Sequence, residues 1–179
     1  MSLVQFIVPL HIINAEVVSL FLASYYQLQF LGDMLKKSPD AAAWIFGSPA
    51  FPDIRGFVYF YQLYDSVLLV AEVSGLPHNE GSCEGRVFGF HIHEGGTCTG
   101  NSEDPFADTG MHYNPNNCLH PHHAGDLPPL FGNNGLAFQS VLTNRFSVNQ
   151  IIGHTVIVHG SPDDFVTQPS GNSGAKIAC

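Results

Sequence analysis

The sequence has 179 residues, enough for one domain with a sizeable core, and 45% of them are hydrophobic. Only six Lys and Arg stand against fifteen Asp and Glu, which gives a formal net charge of −9. Nucleic acids and anionic membrane surfaces are therefore poor partners, because both are attracted by basic surfaces. A small anionic substrate would need a local positive charge to approach against the overall field.

Residues 1–38 differ from the rest of the chain. The first thirty are apolar and lack Lys and Arg, so they have no positively charged start and make no convincing secretory signal. Pro9, Asn14 and Glu16 weaken the segment as a membrane span. Three interpretations stay open: a helix packed on the domain or a partner, an export or anchor segment that contacts a membrane, and a misassigned start. We predict a helical, apolar N-terminal extension over 1–38 and a folded domain over 39–179.

From about residue 42 the sequence changes to short runs that are typical of β-strands. Strands are predicted in AWIFGS, GFVYFYQL, SVLLVAEV, RVFGFHIHE, GLAFQSVLT and HTVIVHG, and the second and third form a hairpin. Residues 95–135 are rich in Gly, Pro, Asn, Asp and His without periodicity, which predicts a long loop of the kind that usually has a function. The stretch from Ser161 to Lys176 is predicted as a further loop. This pattern favours an antiparallel sandwich or barrel.

Histidines cluster around the first of these loops. Residues i and i+2 of a strand point to the same face, so His91 and His93 present two imidazoles side by side. His159 ends another predicted strand and could join them across the sheet. Three imidazoles on rigid strands suit copper, and also zinc or nickel.

The long loop supplies a second set of ligands. His112, His120, His123 and Asp126 amount to three imidazoles and one carboxylate, a full tetrahedral set for zinc. A loop without regular hydrogen bonding gains order from such a metal, because the binding energy becomes folding energy.

Several segments resemble the signature sequences of Cu/Zn superoxide dismutases, especially bacterial forms. They are GFHIHE, HYNP, HAGDLPP, IIGHTVIVHGSPDD and GNSGAKIAC, and the resemblance runs from about residue 42 to the C-terminus. It implies an all-β, Greek-key antiparallel β-sandwich of the Ig-like type with long metal-binding loops. It also implies copper bound by His91, His93, His112 and His159, and zinc bound by His112, His120, His123 and Asp126.

The resemblance assigns further roles. Asp163 stands where the family has a carboxylate that links a copper-binding histidine to a zinc-binding one, which fixes ring orientation. Cys98 and Cys179 match the family's disulfide. Cys83 and Cys118 have no counterpart in the familiar eukaryotic pattern, and both a second disulfide between them and two free buried thiols stay open.

The implied activity is superoxide dismutation, with copper cycling between two oxidation states beside a structural zinc. His112 would carry a proton to peroxide. Lys176 occupies the slot, three residues before the last cysteine, where the family has an arginine that attracts superoxide. We expect the charge to persist without the arginine's bidentate fork.

Two other interpretations remain. One is a copper- or zinc-binding module on the same fold with little turnover, and the other gives the metals a purely structural role. The resemblance further implies an extracytoplasmic location, while a homo-oligomer and a membrane contact of the N-terminal segment stay open.

Overall fold

The computed structural model describes residues 37–78 and 86–179. The chain divides into two units, Met1–Ser38 and Pro39–Cys179. The predicted helix over residues 1–38 lies outside the described residues except for its last two positions, and so the membrane contact proposed for it is not tested. Cys83 also lies outside the described residues.

The described residues contain nine strands, one short helix and one 3₁₀ turn. The strands are β1 (Ala41–Phe46), β2 (Arg55–Gln62), β3 (Val67–Ser74), β4 (Arg86–Phe88), β5 (Phe90–His93), β6 (Leu130–Gly132), β7 (Ala137–Thr143), β8 (Thr155–His159) and β9 (Lys176–Ala178). Helix α1 (Val148–Ile151) starts with a capping box between Ser147 and Gln150, and the 3₁₀ turn covers Ala107–Thr109. No helix in the described part of the chain has the length and apolar character of a membrane span.

Two sheets enclose the core. Strands β1-β2-β3-β7 form one antiparallel sheet, β5-β8-β9 form the other, and β4 pairs with β6. Alternate residues of the first sheet, such as Val58, Phe60 and Leu69, pack with Ile92 and Val158 of the second in one buried cluster. The predicted all-β sandwich is therefore confirmed.

The structure corrects three details of the predicted strands. The single strand predicted over residues 86–94 breaks at Gly89, where the backbone leaves β6 and bonds instead to Ser161 and His159, at 2.8 Å each. A Cβ atom at Gly89 would lie 2.8 Å from the Cβ of Ser173, so this close approach requires glycine. A short strand, β6, lies within the predicted loop 95–135. The last strand, β9, begins at Lys176, a residue for which the sequence predicts a loop.

Candidate metal centre

Two clusters of buried ligand-type side chains meet beside β5, and they include residues from β5, from β8 and from the long loop. Within each cluster the nearest ligand atoms all lie within 4.8 Å of one another. His112 belongs to both clusters, so a single imidazole joins them. One cluster contains His91, His93, His112 and His159, and the other contains His112, His120, His123 and Asp126.

The two sheets and the long loop position these side chains. His91 and His93 lie on β5, which is hydrogen-bonded to β8, the strand that ends at His159. The loop runs along the other edge of β5, where backbone bridges pair His93 with His112 and His91 with Asp126. Strand geometry therefore fixes one cluster, and backbone pairing to β5 brings the second cluster beside it.

His93 and His159 place two ring nitrogens face to face. Their Nε2 atoms are 3.2 Å apart. Each ring's Nδ1 lies against a backbone carbonyl, Gly110 O at 3.0 Å for His93 and Gly174 O at 3.1 Å for His159. A carbonyl only accepts, so each Nδ1 carries the proton and each Nε2 of a neutral ring carries a lone pair.

These rings are neutral over a wide pH range. Burial lowers the pKa of His93 to about 2 and that of His159 to about 3, and neighbouring histidines add to both shifts. Two lone pairs at this distance repel unless a cation lies between them. Two nitrogen ligands on a tetrahedral metal, each at about 2.0–2.1 Å, lie about 3.3 Å apart. The geometry of this pair fits a metal ion.

Four other ring nitrogens are buried without a hydrogen-bond partner. Burying such a group costs free energy unless something binds it. The Nδ1 atoms of His120 and His123 lie 3.2 and 3.3 Å from carboxylate oxygens of Asp126, but not in hydrogen-bonding geometry. All four nitrogens belong to the two clusters, and they are His91 Nδ1, His112 Nε2, His120 Nδ1 and His123 Nδ1.

Asp163 connects the two clusters from outside. His91 Nε2 donates to its Oδ2 over 2.7 Å, and His120 Nε2 donates to its Oδ1 over 2.9 Å. A carboxylate only accepts, so both rings carry their proton on Nε2 and turn Nδ1 inward. Burial alone would raise the pKa of Asp163, but hydrogen bonds from His91, the Phe165 amide and His120 hold it well below its usual value.

Asp126 is the anionic member of the second cluster. His112 Nδ1 donates to its Oδ1 over 2.7 Å, and the amide of His123 donates to its Oδ2 over 2.9 Å. Burial acts to raise the pKa of Asp126, but the hydrogen bond from His112 and the nearby rings lower it overall. Asp126 is therefore a carboxylate at neutral pH.

Lys176 is held by a carboxylate. Its Nζ donates to Asp104 Oδ2 and to the carbonyl oxygen of Phe106, each over 2.9 Å. In the sheet, Lys176 pairs with His159, so the ion pair lies beside the first cluster. Sequence reasoning identified Lys176 but missed Asp104, because a loop aspartate 72 positions away carries no periodic signal.

The cysteines lie in separate environments. Cys98 and Cys179 form a disulfide that ties the loop after β5 to the end of β9. Cys118 is a free, exposed thiol, so both predictions are wrong at this residue: Cys118 forms no disulfide, and it is not buried. Three histidines in the described part of the chain stay outside both clusters, namely His78, His122 and His154.

Comparison with known proteins identifies the family. Residues 54–179 match the family model described as copper/zinc superoxide dismutase (SODC). A Cu-Zn superoxide dismutase of Photobacterium leiognathi is 34% identical over 105 residues, which cover 51% of this chain and 61% of that protein. Cu-Zn superoxide dismutase 1 of Aquifex aeolicus (strain VF5) is 33% identical over 135 residues, 66% of this chain and 73% of that protein.

Bacillus subtilis provides a relative with a different description and a solved structure. The superoxide dismutase-like protein YojM of strain 168 is 37% identical over 112 residues, 53% of this chain and 55% of that protein. A proline-to-histidine mutant of an SOD-like protein from Bacillus subtilis superimposes with a TM-score of 0.60 at 29% identity. That alignment covers 77% of this chain and 94% of the other.

The fold and the clusters define a β-sandwich protein with a buried, histidine-rich site suited to two metal ions. The matches make the assignment specific: the chain belongs to the copper/zinc superoxide dismutase family.

Proposed function

We propose that the protein is a superoxide dismutase that binds one copper and one zinc. The facing Nε2 atoms of His93 and His159 carry this proposal, because two neutral rings at 3.2 Å need a cation between their lone pairs. Copper would be held by His91 Nδ1, His93 Nε2, His112 Nε2 and His159 Nε2. Zinc would be held by His120 Nδ1, His123 Nδ1, an oxygen of Asp126 and His112 Nδ1, which would release the proton that it otherwise donates to Asp126.

The donor chemistry supports this division. Four imidazoles suit a copper ion that changes oxidation state, whereas three imidazoles and one carboxylate suit zinc, which does not. When bound, copper supplies the one-electron exchange that converts superoxide to oxygen in one half-reaction and to hydrogen peroxide in the other.

The protein's own groups position the reaction and move a proton. His91, His93 and His159 are buried on strands, and each has its second ring nitrogen hydrogen-bonded, so the ring orientations are fixed. His112 Nε2 is buried and has no protein partner, so while copper is not bound to it this nitrogen would hold a proton and pass it to peroxide. Lys176, which pairs with His159 in the sheet, would attract the anionic substrate.

A matched pair of variants tests the role of His112. His122 is exposed in the same loop, so His122→Ala changes a histidine without touching either cluster. We expect His112→Ala to lower the second-order rate of superoxide consumption at least a hundredfold, because it removes both a proton donor and a side chain shared by the two clusters. His122→Ala should leave the rate within about twofold of the parent. Equal rates for the two variants would contradict the proposal.

A second candidate is a metal-binding module with little turnover. Two observations favour it: Asp104 neutralises Lys176, and one relative is described only as superoxide dismutase-like. Stoichiometric copper and zinc in a protein that consumes no superoxide would establish this alternative.

A further inference from the structure

Side chains from two other loops hold the backbone of the loop that carries the zinc-type cluster. Gln168 brackets His120: its Oε1 accepts from the His120 amide over 3.0 Å, and its Nε2 donates to the His120 carbonyl oxygen over 2.7 Å. Arg145 makes a larger set of contacts. Its Nη1 lies 3.0, 3.2 and 3.1 Å from the carbonyl oxygens of Pro121, His123 and Asp126, and because Nη1 has two N–H groups, one of them is shared between two of these acceptors.

We propose that Arg145 is a positioning residue for the zinc site. Its three acceptors are the carbonyls of two cluster residues, His123 and Asp126, and of the residue that follows a third, His120. One guanidinium nitrogen therefore fixes the backbone at three of the four points from which loop side chains enter the cluster, and the fourth, His112, is held by its backbone bridge to His93. No contact between Arg145 and a ring or carboxylate of the cluster is needed, because it acts through the main chain.

The loop depends on such a contact because it has little regular structure of its own. Residues 114–129 contain no helix or strand, only turns, bends, irregular stretches and the isolated bridge from Asp126 to His91. Arg145, in contrast, lies between the end of β7 at Thr143 and the capped start of α1 at Ser147, two fixed elements. Charged donors form the stronger class of hydrogen bond, and two of the three contacts are partly buried.

Arg55 provides a matched control. Its Nη1 donates to the carbonyl oxygens of Pro52 and Ile54, both over 2.6 Å, in the connection between β1 and β2. It makes the same kind of guanidinium-to-carbonyl contact, but none of its acceptors carries or adjoins a residue of either cluster. A general effect of removing such an arginine should appear in both Arg145→Ala and Arg55→Ala. A specific effect on zinc binding should appear only in Arg145→Ala.

The experiment measures zinc affinity by competition with a chromophoric chelator in Arg145→Ala, Arg145→Lys, Arg55→Ala and the parent. Removal of groups that orient metal ligands usually weakens metal binding by about 10–100-fold. We expect a loss of that size for Arg145→Ala and partial recovery for Arg145→Lys, whose ammonium also donates from a single nitrogen. Arg55→Ala should stay within twofold of the parent.

The visible spectrum of the cobalt(II)-substituted zinc site adds a readout of ligand geometry. We expect altered ligand-field bands in Arg145→Ala and parent-like bands in Arg55→Ala. The inference is overturned if Arg145→Ala, folded by near-UV circular dichroism, matches the parent in zinc affinity and cobalt spectrum. It is also overturned if Arg55→Ala loses as much zinc affinity. The inference rests on the part of the proposed function that concerns zinc binding. If the parent protein bound no zinc, both the inference and the proposed function would be wrong. If the parent bound zinc but had no dismutase activity, only the proposed function would be wrong.

Discussion

Lys176 and Asp104 form an ion pair, with Nζ 2.9 Å from Oδ2, beside the strand that ends at His159. The same ammonium donates to the Phe106 carbonyl oxygen, so the lysine is held on two sides. The cation proposed to attract superoxide is therefore matched by a carboxylate from a loop, Asp104. The pair as a whole carries no net charge, in a protein of formal net charge −9.

The first prediction follows from this pair. At low salt, Lys176→Ala should lower the second-order rate with superoxide several-fold, and Lys176→Glu should lower it further. Asp104→Asn should raise it about two- to five-fold, the size expected for one unit charge several ångströms away in a largely aqueous setting. The differences should shrink as salt rises, because salt screens the long-range attraction between the protein and its substrate beyond about 8–10 Å.

The exposed Asp65, in the turn between β2 and β3, supplies the control. Asp65→Asn makes the same change in net charge and should alter the rate much less than Asp104→Asn. Identical low-salt rates in the Lys176 and Asp104 variants would show that the pair has no part in attracting the substrate.

A second prediction separates the two metals. Asp126→Asn removes the anionic ligand of the zinc-type cluster and weakens the hydrogen bond that His112 donates. We expect zinc affinity to fall at least tenfold, while copper stays bound through His91, His93 and His159. Metal analysis after dialysis against a weak chelator measures both, with Asp65→Asn as the control. Loss of both metals in equal proportion would mean that the boundary between the sites is wrong.

The sequence predicted the fold class and both ligand clusters well, for identifiable reasons. Strand alternation put His91 and His93 on one face, and the motif resemblance named the loop ligands. The sequence did not predict the break at Gly89, because this break depends on the approach of Ser161 and Ser173 from distant parts of the chain. The sequence did not indicate Asp104, Gln168 or Arg145, because they act through hydrogen bonds to residues far away in the chain, which leave no pattern in composition or spacing.

A third prediction concerns pH and the metal-free protein. Burial lowers the pKa of His91, His93, His123 and His159 below the usual 6.5. Above pH 6.5 these rings are neutral in both the folded and the unfolded chain and contribute no pH dependence. Below it the unfolded chain binds protons that the folded protein excludes, so the free energy of unfolding falls as pH drops.

Asp126 and Asp163 act in the same direction at lower pH. Their folded pKa values lie below the usual 3.8, so the stability they contribute is present above that pH and is lost as pH falls through the folded values. Urea unfolding of the metal-free protein between pH 8 and pH 4 should give a plateau followed by a steady decline from about pH 6.5. A constant free energy of unfolding from pH 7 to pH 5 would contradict burial of these rings as neutral groups.

A fourth prediction tests the disulfide. Cys98 and Cys179 are separated by 81 positions, and closing a loop of that size in the unfolded chain stabilises the folded state by about 4–5 kcal/mol in the loop-entropy treatment. Cys98→Ser with Cys179→Ser should lower the free energy of unfolding by an amount of that order. Cys118→Ser, which removes a free, exposed thiol, should have little effect. Equal stability of all three proteins in urea under oxidising conditions would contradict a stabilising disulfide.

The most direct test of the central claim adds copper stepwise to zinc-loaded protein. At each step, pulse radiolysis measures the rate at which the protein consumes superoxide. We predict no catalysis with zinc alone, a rate that rises linearly with copper, and a break at one copper per chain. Copper bound at one equivalent, with superoxide decaying no faster than in the zinc-only protein, would contradict the claim.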